Sequence, residues 1–236
     1  MTNAKIAPTP LPTRYNPIEN TESVNPVRLQ KYQQIIGSLL YLMLGTQPDI
    51  AYAVIKLLQF SANPSQIHLD KAMYIMHYLV GTQNYRIVYN GRVTEGLMAF
   101  TDSNWAADET KCRSMTGYFT VLASSSVCWQ SRLQKTVALL STKAKYMALS
   151  DTSRQIVWIQ SLFNELKYQL RQIPVCADNP SLLDLIQFKK EEPNILIFTI
   201  ITYANALKKA KSPSSSSQDQ KILQICLLRT LERINS

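Results

Sequence analysis

Apolar residues recur along this chain with two different periods. LQKYQQIIGSLLYLML, residues 29–44, places Leu29, Tyr32, Ile36, Leu39, Leu40 and Met43 at helical spacing. GTQPD breaks that run, with Gly45 expected as the C-cap and Pro48 opening the next helix. The second helix, PDIAYAVIKLLQF, ends before SANPS, and a third is predicted from about Gln66 to Val80, stopping at Gly81. Three helices with short links predict a compact helical unit. Residues 1–27 carry five of the eleven prolines and no apolar period, and they read as an extended lead-in.

The pattern then changes. YRIVYN (85–90), GLMAFTDSNW (96–105), TGYFTVLAS (116–124) and SVCWQSRL (126–133) are rich in Val, Tyr, Phe and Trp and are separated by turn residues, which predicts strands. A long amphipathic helix is predicted from about Ser141 to Leu166, with Met147, Ile156, Ile159, Leu162 and Phe163 among its apolar residues. IPVCAD (173–178) is a short buried-strand candidate, and NPSLLDLIQ a helix candidate capped by Asn179. Strands, a helix, a strand and a helix in that order predict an α/β (α+β) fold: a mixed sheet with helices packed on it.

Composition narrows the class. The chain has 236 residues, 46% hydrophobic and 17% charged, which is enough for a real core and too apolar for a disordered chain. No stretch reaches the ~20 apolar residues of a membrane span. The polar N-terminus has no signal-peptide core. The expectation is a soluble intracellular protein without a membrane partner. All six glycines lie between Gly37 and Gly117, so the last 119 residues have none. Cys112, Cys128, Cys176 and Cys226 are widely spaced, and buried free thiols are the simplest reading. A net charge of +9 suggests nucleic acid or an acidic surface as partner.

Two aspartates stand where chemistry is possible. Asp102 is expected at the end of the first long strand and Asp178 at the end of the fourth, and strand ends of a mixed sheet are common ligand sites. Two carboxylates converging there suit a hard cation such as Mg²⁺; two solvated loop aspartates are the commoner arrangement. His68 and His77 are too few and too isolated for a metal site or a triad.

Longer stretches carry a family likeness. KYQQIIGSLLYLMLGTQPDIAYAV, SANPSQIHLDKAMYIMHYLVGTQNY, FTDSNWAAD, STKAKYMALS and CADN, in that order, resemble the C-terminal part of copia-type retrotransposon Pol polyproteins. The resemblance covers about residues 29–186. It implies that residues 28–84 are the helical C-terminal remnant of a reverse transcriptase and 85–186 a ribonuclease H-like domain. In that family, acidic residues hold two Mg²⁺ ions that cleave the RNA strand of an RNA–DNA hybrid, and the biology is retrotransposition in cytoplasm and nucleus. The resemblance matches Asp102 to the first acid and Asp178 to the third. The second departs: the family's Ser-Thr-Glu-Ala-Glu-Tyr-Met-Ala reads Ser141-Thr142-Lys143-Ala144-Lys145-Tyr146-Met147-Ala148 here, so Lys145 stands in place of the metal-ligating Glu. An ammonium has three donors and no acceptor, so it coordinates no cation. At about 4 Å and an effective dielectric of about 20 it instead attracts a carboxylate by about 4 kcal/mol. The expectation is a disabled hydrolase. The paired-aspartate polymerase motif, upstream in the family, is missing from residues 1–60. A non-catalytic binder of RNA–DNA hybrid or other nucleic acid is the alternative, with Arg86, Arg92, Lys111, Arg113, Arg132 and Lys135 as phosphate contacts. A rearranged carboxylate set using Asp108, Glu109 or Asp151 ranks last, because none is at a matched position.

Residues 187–236 lack the family's continuation. Shifting Glu191–Phe198 by one base permits Arg-Arg-Thr-Lys-His-Ile-Asp-Ile, and Gln224–Arg229 permits Ala-Asp-Leu-Phe-Thr-Lys in the same displaced frame; both are stretches the family is expected to have. The tail therefore reads as a frameshifted translation, and ILIFTIITYANAL (195–207) as an apolar, aggregation-prone run without a fold partner. The charge divides accordingly. Residues 187–236 hold 8 basic and 4 acidic groups, and restoring Glu at 143 and 145 removes another four units, so most of the +9 comes from two apparent lesions.

Overall fold

A computed structural model describes residues 6–12, 15–91, 96–108, 112–168, 170, 173–177 and 200–202. The chain divides into two compact units, Met1–Ile87 and Val88–Ser236.

The first unit is helical. α1 (Pro26–Gly45) starts where the Asn25 side chain accepts from the Arg28 N–H at 3.1 Å and Pro26 supplies a helical φ. It buries Tyr32, Ile36, Leu39 and Met43, four of the six positions picked out by spacing. Gly45 is not the cap; it is the last helical residue, and Thr46 closes the helix through its N–H to the Leu42 carbonyl. Pro48 opens a single 3₁₀ turn (Pro48–Ile50) that runs into α2 (Ala51–Leu58). α3 (Gln66–Gly81) begins at a Ser65 cap. The three helices enclose an apolar cluster that includes Ile50, Val54, Leu57, Ala72, Ile75 and Tyr78. Among the described residues before Pro26 there is no helix or strand, yet Ala7 and Leu11 are buried in that cluster.

Among the described residues, the second unit is a five-stranded mixed sheet under one long helix. β1 (Met98–Asp108), β2 (Arg113–Leu122) and β3 (Ser125–Leu133) form an antiparallel meander. α4 (Ser141–Glu165) follows, then β4 (Val175–Ala177) and β5 (Ile200–Thr202). β4 lies parallel to β1, and β5 parallel to β4, giving the order β3-β2-β1-β4-β5. The α/β class and mixed sheet are as expected. Apolar packing beneath the C-terminal half of α4 comes from Leu97, Ala99, Leu149, Ile156, Ile159, Ile173 and Val175.

Five details differ from the sequence reading. Residues 85–90 do not form a strand; Asn90 only touches the β2–β3 turn, its N–H donating to the Ala123 carbonyl at 3.3 Å. Ala123 and Ser124 are not strand residues but the hairpin turn itself, with φ of +50° and +70°. That left-handed turn matches the strand twist and usually carries Asn-Gly, so its sequence signal was absent here. β1 runs on to Asp108, which puts Asp102 in mid-strand, not at the end. Cys112 is exposed, at a left-handed position (φ +49°), while Cys176 is buried. The run at 195–207 does have a partner: Ile200–Thr202 pairs with β4, because three β-branched residues suit a ladder and β4 offers its second edge. The helix candidate after Asn179 and Cys226 lie outside the described residues.

Candidate functional site

Asp102 sits at the middle of the sheet's central strand, half-buried, directly opposite Gly117 of β2. Its Oδ1 accepts from the Ser103 N–H at 2.7 Å. Strand alternation sorts its neighbours. Thr101 and Ser103 are buried on the face that α4 covers, while Phe100 stacks on Phe119 at 4.6 Å on the other, the side to which Asp102 belongs. Asp178 lies outside the described residues. The residue before it, Ala177, is the register partner of Thr101, the residue before Asp102. β1 and β4 are parallel, so the chain enters positions 102 and 178 from adjacent, aligned points.

Lys145 lies in the second turn of α4, half-buried. It extends the stripe of Ala148, Leu149, Thr152, Ile156 and Ile159 by one turn toward the N-terminus. The backbone on both sides of it is pinned to the sheet. Gln134, just after β3, donates through Nε2 to Thr116 Oγ1 and to the Ala144 carbonyl, both at 2.9 Å. Thr152 Oγ lies 2.8 Å from both the Ala148 carbonyl and Thr101 Oγ. These two clamps fix the helix over β1 and β2, one at the residue before Lys145 and the other two turns after it. Nothing in the alternation of apolar residues signalled them. The relevant sign was the run of Ser and Thr at inward positions of β1 and β2, which reads as a polar strand face.

The electrostatics of this helix end are cationic. Leu140 at the N-cap gives no side-chain hydrogen bond, and the first turn has no acid. Lys143 is exposed beside it. A helix N-terminus already carries partial positive charge, so two lysines there oppose the dipole.

The other candidates are placed elsewhere. Asp151 is held by two guanidinium groups, Arg132 and Arg154, and its side chain is 12% exposed, so it is spoken for as an ion-pair partner and not poised for metal. That same pairing removes Arg132 from the free basic surface. Arg86 and Lys135 are exposed; Arg92, Lys111, Glu109 and the side chain of Asp108 lie outside the described residues. His68 is buried in a helix cap, and His77 is half-buried on α3. Among the described residues there is no cluster of three or more His, Cys, Asp or Glu able to hold a metal. No described helix is long and apolar enough to cross a membrane.

No protein-family profile matches the chain, and no solved structure matches it. Its curated relatives are mainly transposon proteins. It is 34% identical over 78% of its length to the retrovirus-related Pol polyprotein from transposon TNT 1-94 of Nicotiana tabacum, and 38% identical over 72% to that from transposon RE1 of Arabidopsis thaliana. It spans only 14% and 11% of those two proteins. It is also 38% identical to secreted RxLR effector protein 161 of Plasmopara viticola, over 54% of this chain and 90% of that protein. The chain, a helical unit followed by a mixed sheet, is similar to a short stretch of each of these two transposon polyproteins. Its homologues are retrovirus-related Pol polyproteins from copia-type transposons.

Proposed function

We propose that residues 28–84 are the end of a reverse transcriptase, that residues 85–186 are a ribonuclease H-like domain, and that this domain does not cleave RNA–DNA hybrids. The observation that carries the reading is Lys145. A pair of Mg²⁺ ions ~4 Å apart brings a charge of +4 and needs several anionic oxygens. The donor set here supplies a carboxylate at Asp102 and, from the sequence, one at Asp178, with an ammonium where the second acid belongs. That set does not fit the metal pair. The aligned approach of β1 and β4 supports the assignment of positions 102 and 178 to one site, and the place of residue 145 beside them rests on the family resemblance. Purified chain is expected to leave an RNA–DNA hybrid intact in Mg²⁺ or Mn²⁺, and Lys145→Glu alone to restore little. Robust divalent-dependent cleavage by the unaltered chain overturns the reading.

A second reading is retained binding of hybrid without turnover. The uncapped, lysine-bearing first turn of α4 favours it. Phosphate contacts make such binding strongly salt-dependent, so titrating the hybrid at 50 and 200 mM salt separates binding from its absence. The tail adds a statement about the gene: a one-base insertion or deletion between about codons 178 and 191. The coding DNA tests it, since a shifted frame without Thr-Lys-His-Ile-Asp rules it out.

A further inference from the structure

We propose that His68 is an acid-released latch that holds the lead-in against the start of α3. Ser65-Gln66-Ile67-His68 has the spacing of a capping box, in which the fourth residue is usually Glu or Gln. Here the imidazole takes that role. The Ser65 N–H donates to His68 Nδ1 at 3.0 Å, and the His68 N–H donates to Ser65 Oγ at 3.3 Å. Accepting at Nδ1 places the ring proton on Nε2, and the ring is hydrogen-bonded to the Ile18 backbone of the lead-in. One face stacks on Phe60 beyond the end of α2, with centroids 4.1 Å apart. The residue is 1% exposed. One neutral ring therefore joins three segments, and a small amide lattice continues the seam: Asn20 Nδ2 donates to Asn63 Oδ1, and Asn63 Nδ2 donates to the Glu22 carbonyl.

Protonation reverses the key contact. Nδ1 becomes a donor facing the Ser65 N–H, and a charge is created in a buried position. Burial holds the pKa below its ordinary 6.5. The charged groups on the surrounding elements are engaged elsewhere. Arg28 of α1 donates to the Pro64 carbonyl and lies 3.8 Å from Glu22, Asp70 accepts from Gln66, and Lys71 lies over the Tyr15 and Tyr74 rings. Glu19, also on the lead-in, is the remaining carboxylate of that segment. The sign follows. Above 6.5 the latched and released rings are both neutral; as pH falls below 6.5 the released ring takes a proton and the latched ring resists, so the latch weakens progressively.

The test uses the full chain. Histidine-ring NMR from pH 7.5 to 5 is expected to show an Nε2–H tautomer for His68 titrating below 6.5. Over the same range, amide exchange at Ile18–Asn20 and His68, corrected for intrinsic rates, is expected to rise about tenfold more than in His68→Gln. Glutamine keeps the capping-box pairing and carries no titrating proton. Tryptophan fluorescence, which arises only from the second unit (Trp105, Trp129, Trp158), is expected to stay constant, separating latch release from general unfolding. His68 titrating at or above 6.5, or equal acid release in His68→Gln, overturns the proposal; if that variant does not fold, the ring titration of the unaltered chain decides.

Discussion

The two units are held together by different physics. The helical unit is filled with carbon: Tyr32, Ile36, Leu39, Ile50, Leu57, Ile75 and Tyr78 are all buried, and the two tyrosine hydroxyls find partners at the Leu57 carbonyl and Asp49. The sheet unit instead buries a field of hydroxyls between strands and helix. Thr101, Ser103, Ser114, Thr116, Thr120 and Thr152 are all at most 7% exposed, with the Gln134 amide among them. Apolar contact is weakly directional, so it tolerates small slides of one helix over another. Hydrogen bonds do not, because a slide leaves buried groups unpaired. In the first unit the packing mainly supplies stability; in the second, the bonds set which residue of α4 lies over which residue of β1.

The largest expected effect is in the carbon core. Ile75→Ala leaves a cavity in the helical unit and is expected to cost about 2–5 kcal/mol, read by far-UV circular dichroism in denaturant. If tryptophan fluorescence, confined to the sheet unit, shifts by the same amount, the contrast between two separately stabilised units fails. Next comes Thr152→Val, which keeps shape but leaves Thr101 Oγ unpaired in a buried site. It is expected to cost about 1–3 kcal/mol, read by tryptophan fluorescence, with Thr152→Ser costing less because the hydroxyl remains. A larger cost for Thr152→Ser than for Thr152→Val would mean that the methyl contact, not the bond, matters. The smallest is Asp151→Asn. Its partner Arg154 has a side chain 72% exposed and Arg132 one 42% exposed, so a change of about 1 kcal/mol or less is expected in the same assay. A larger cost would extend the bonded register from the hydroxyl field to the ion pairs.

The same contrast explains what the sequence disclosed. Helical spacing of Tyr32, Ile36, Leu39 and Met43 announces a carbon-filled core, and the helices of the first unit fall within a few residues of their predicted ends. The sheet meander was legible from its aromatic and β-branched residues. Its hydroxyl field was not, because inward Thr101, Ser103 and Thr116 look like a solvated face. YRIVYN misled for the opposite reason: Tyr85, Ile87, Val88 and Tyr89 have strand-forming side chains, but a strand needs a ladder partner, which propensity does not supply. Lys145 stood out only through family resemblance, whereas Asp102 was a candidate from its place on the strand map. Spacing alone put Asp102 at a strand end, and β1 continues six residues beyond it.

The central place of β1 has a consequence in time. Its antiparallel partner β2 begins only a few residues on, at Arg113, but its parallel partner β4 begins only at Val175, far along the chain from Asp108. At about 5–20 residues per second, a growing chain on the ribosome needs roughly 3–13 s to supply it. Through that interval one edge of the innermost strand is bare, with its amides and carbonyls open to any other extended chain. A translation product halted before Val175 is expected to keep that edge exposed permanently and to be recovered as aggregate.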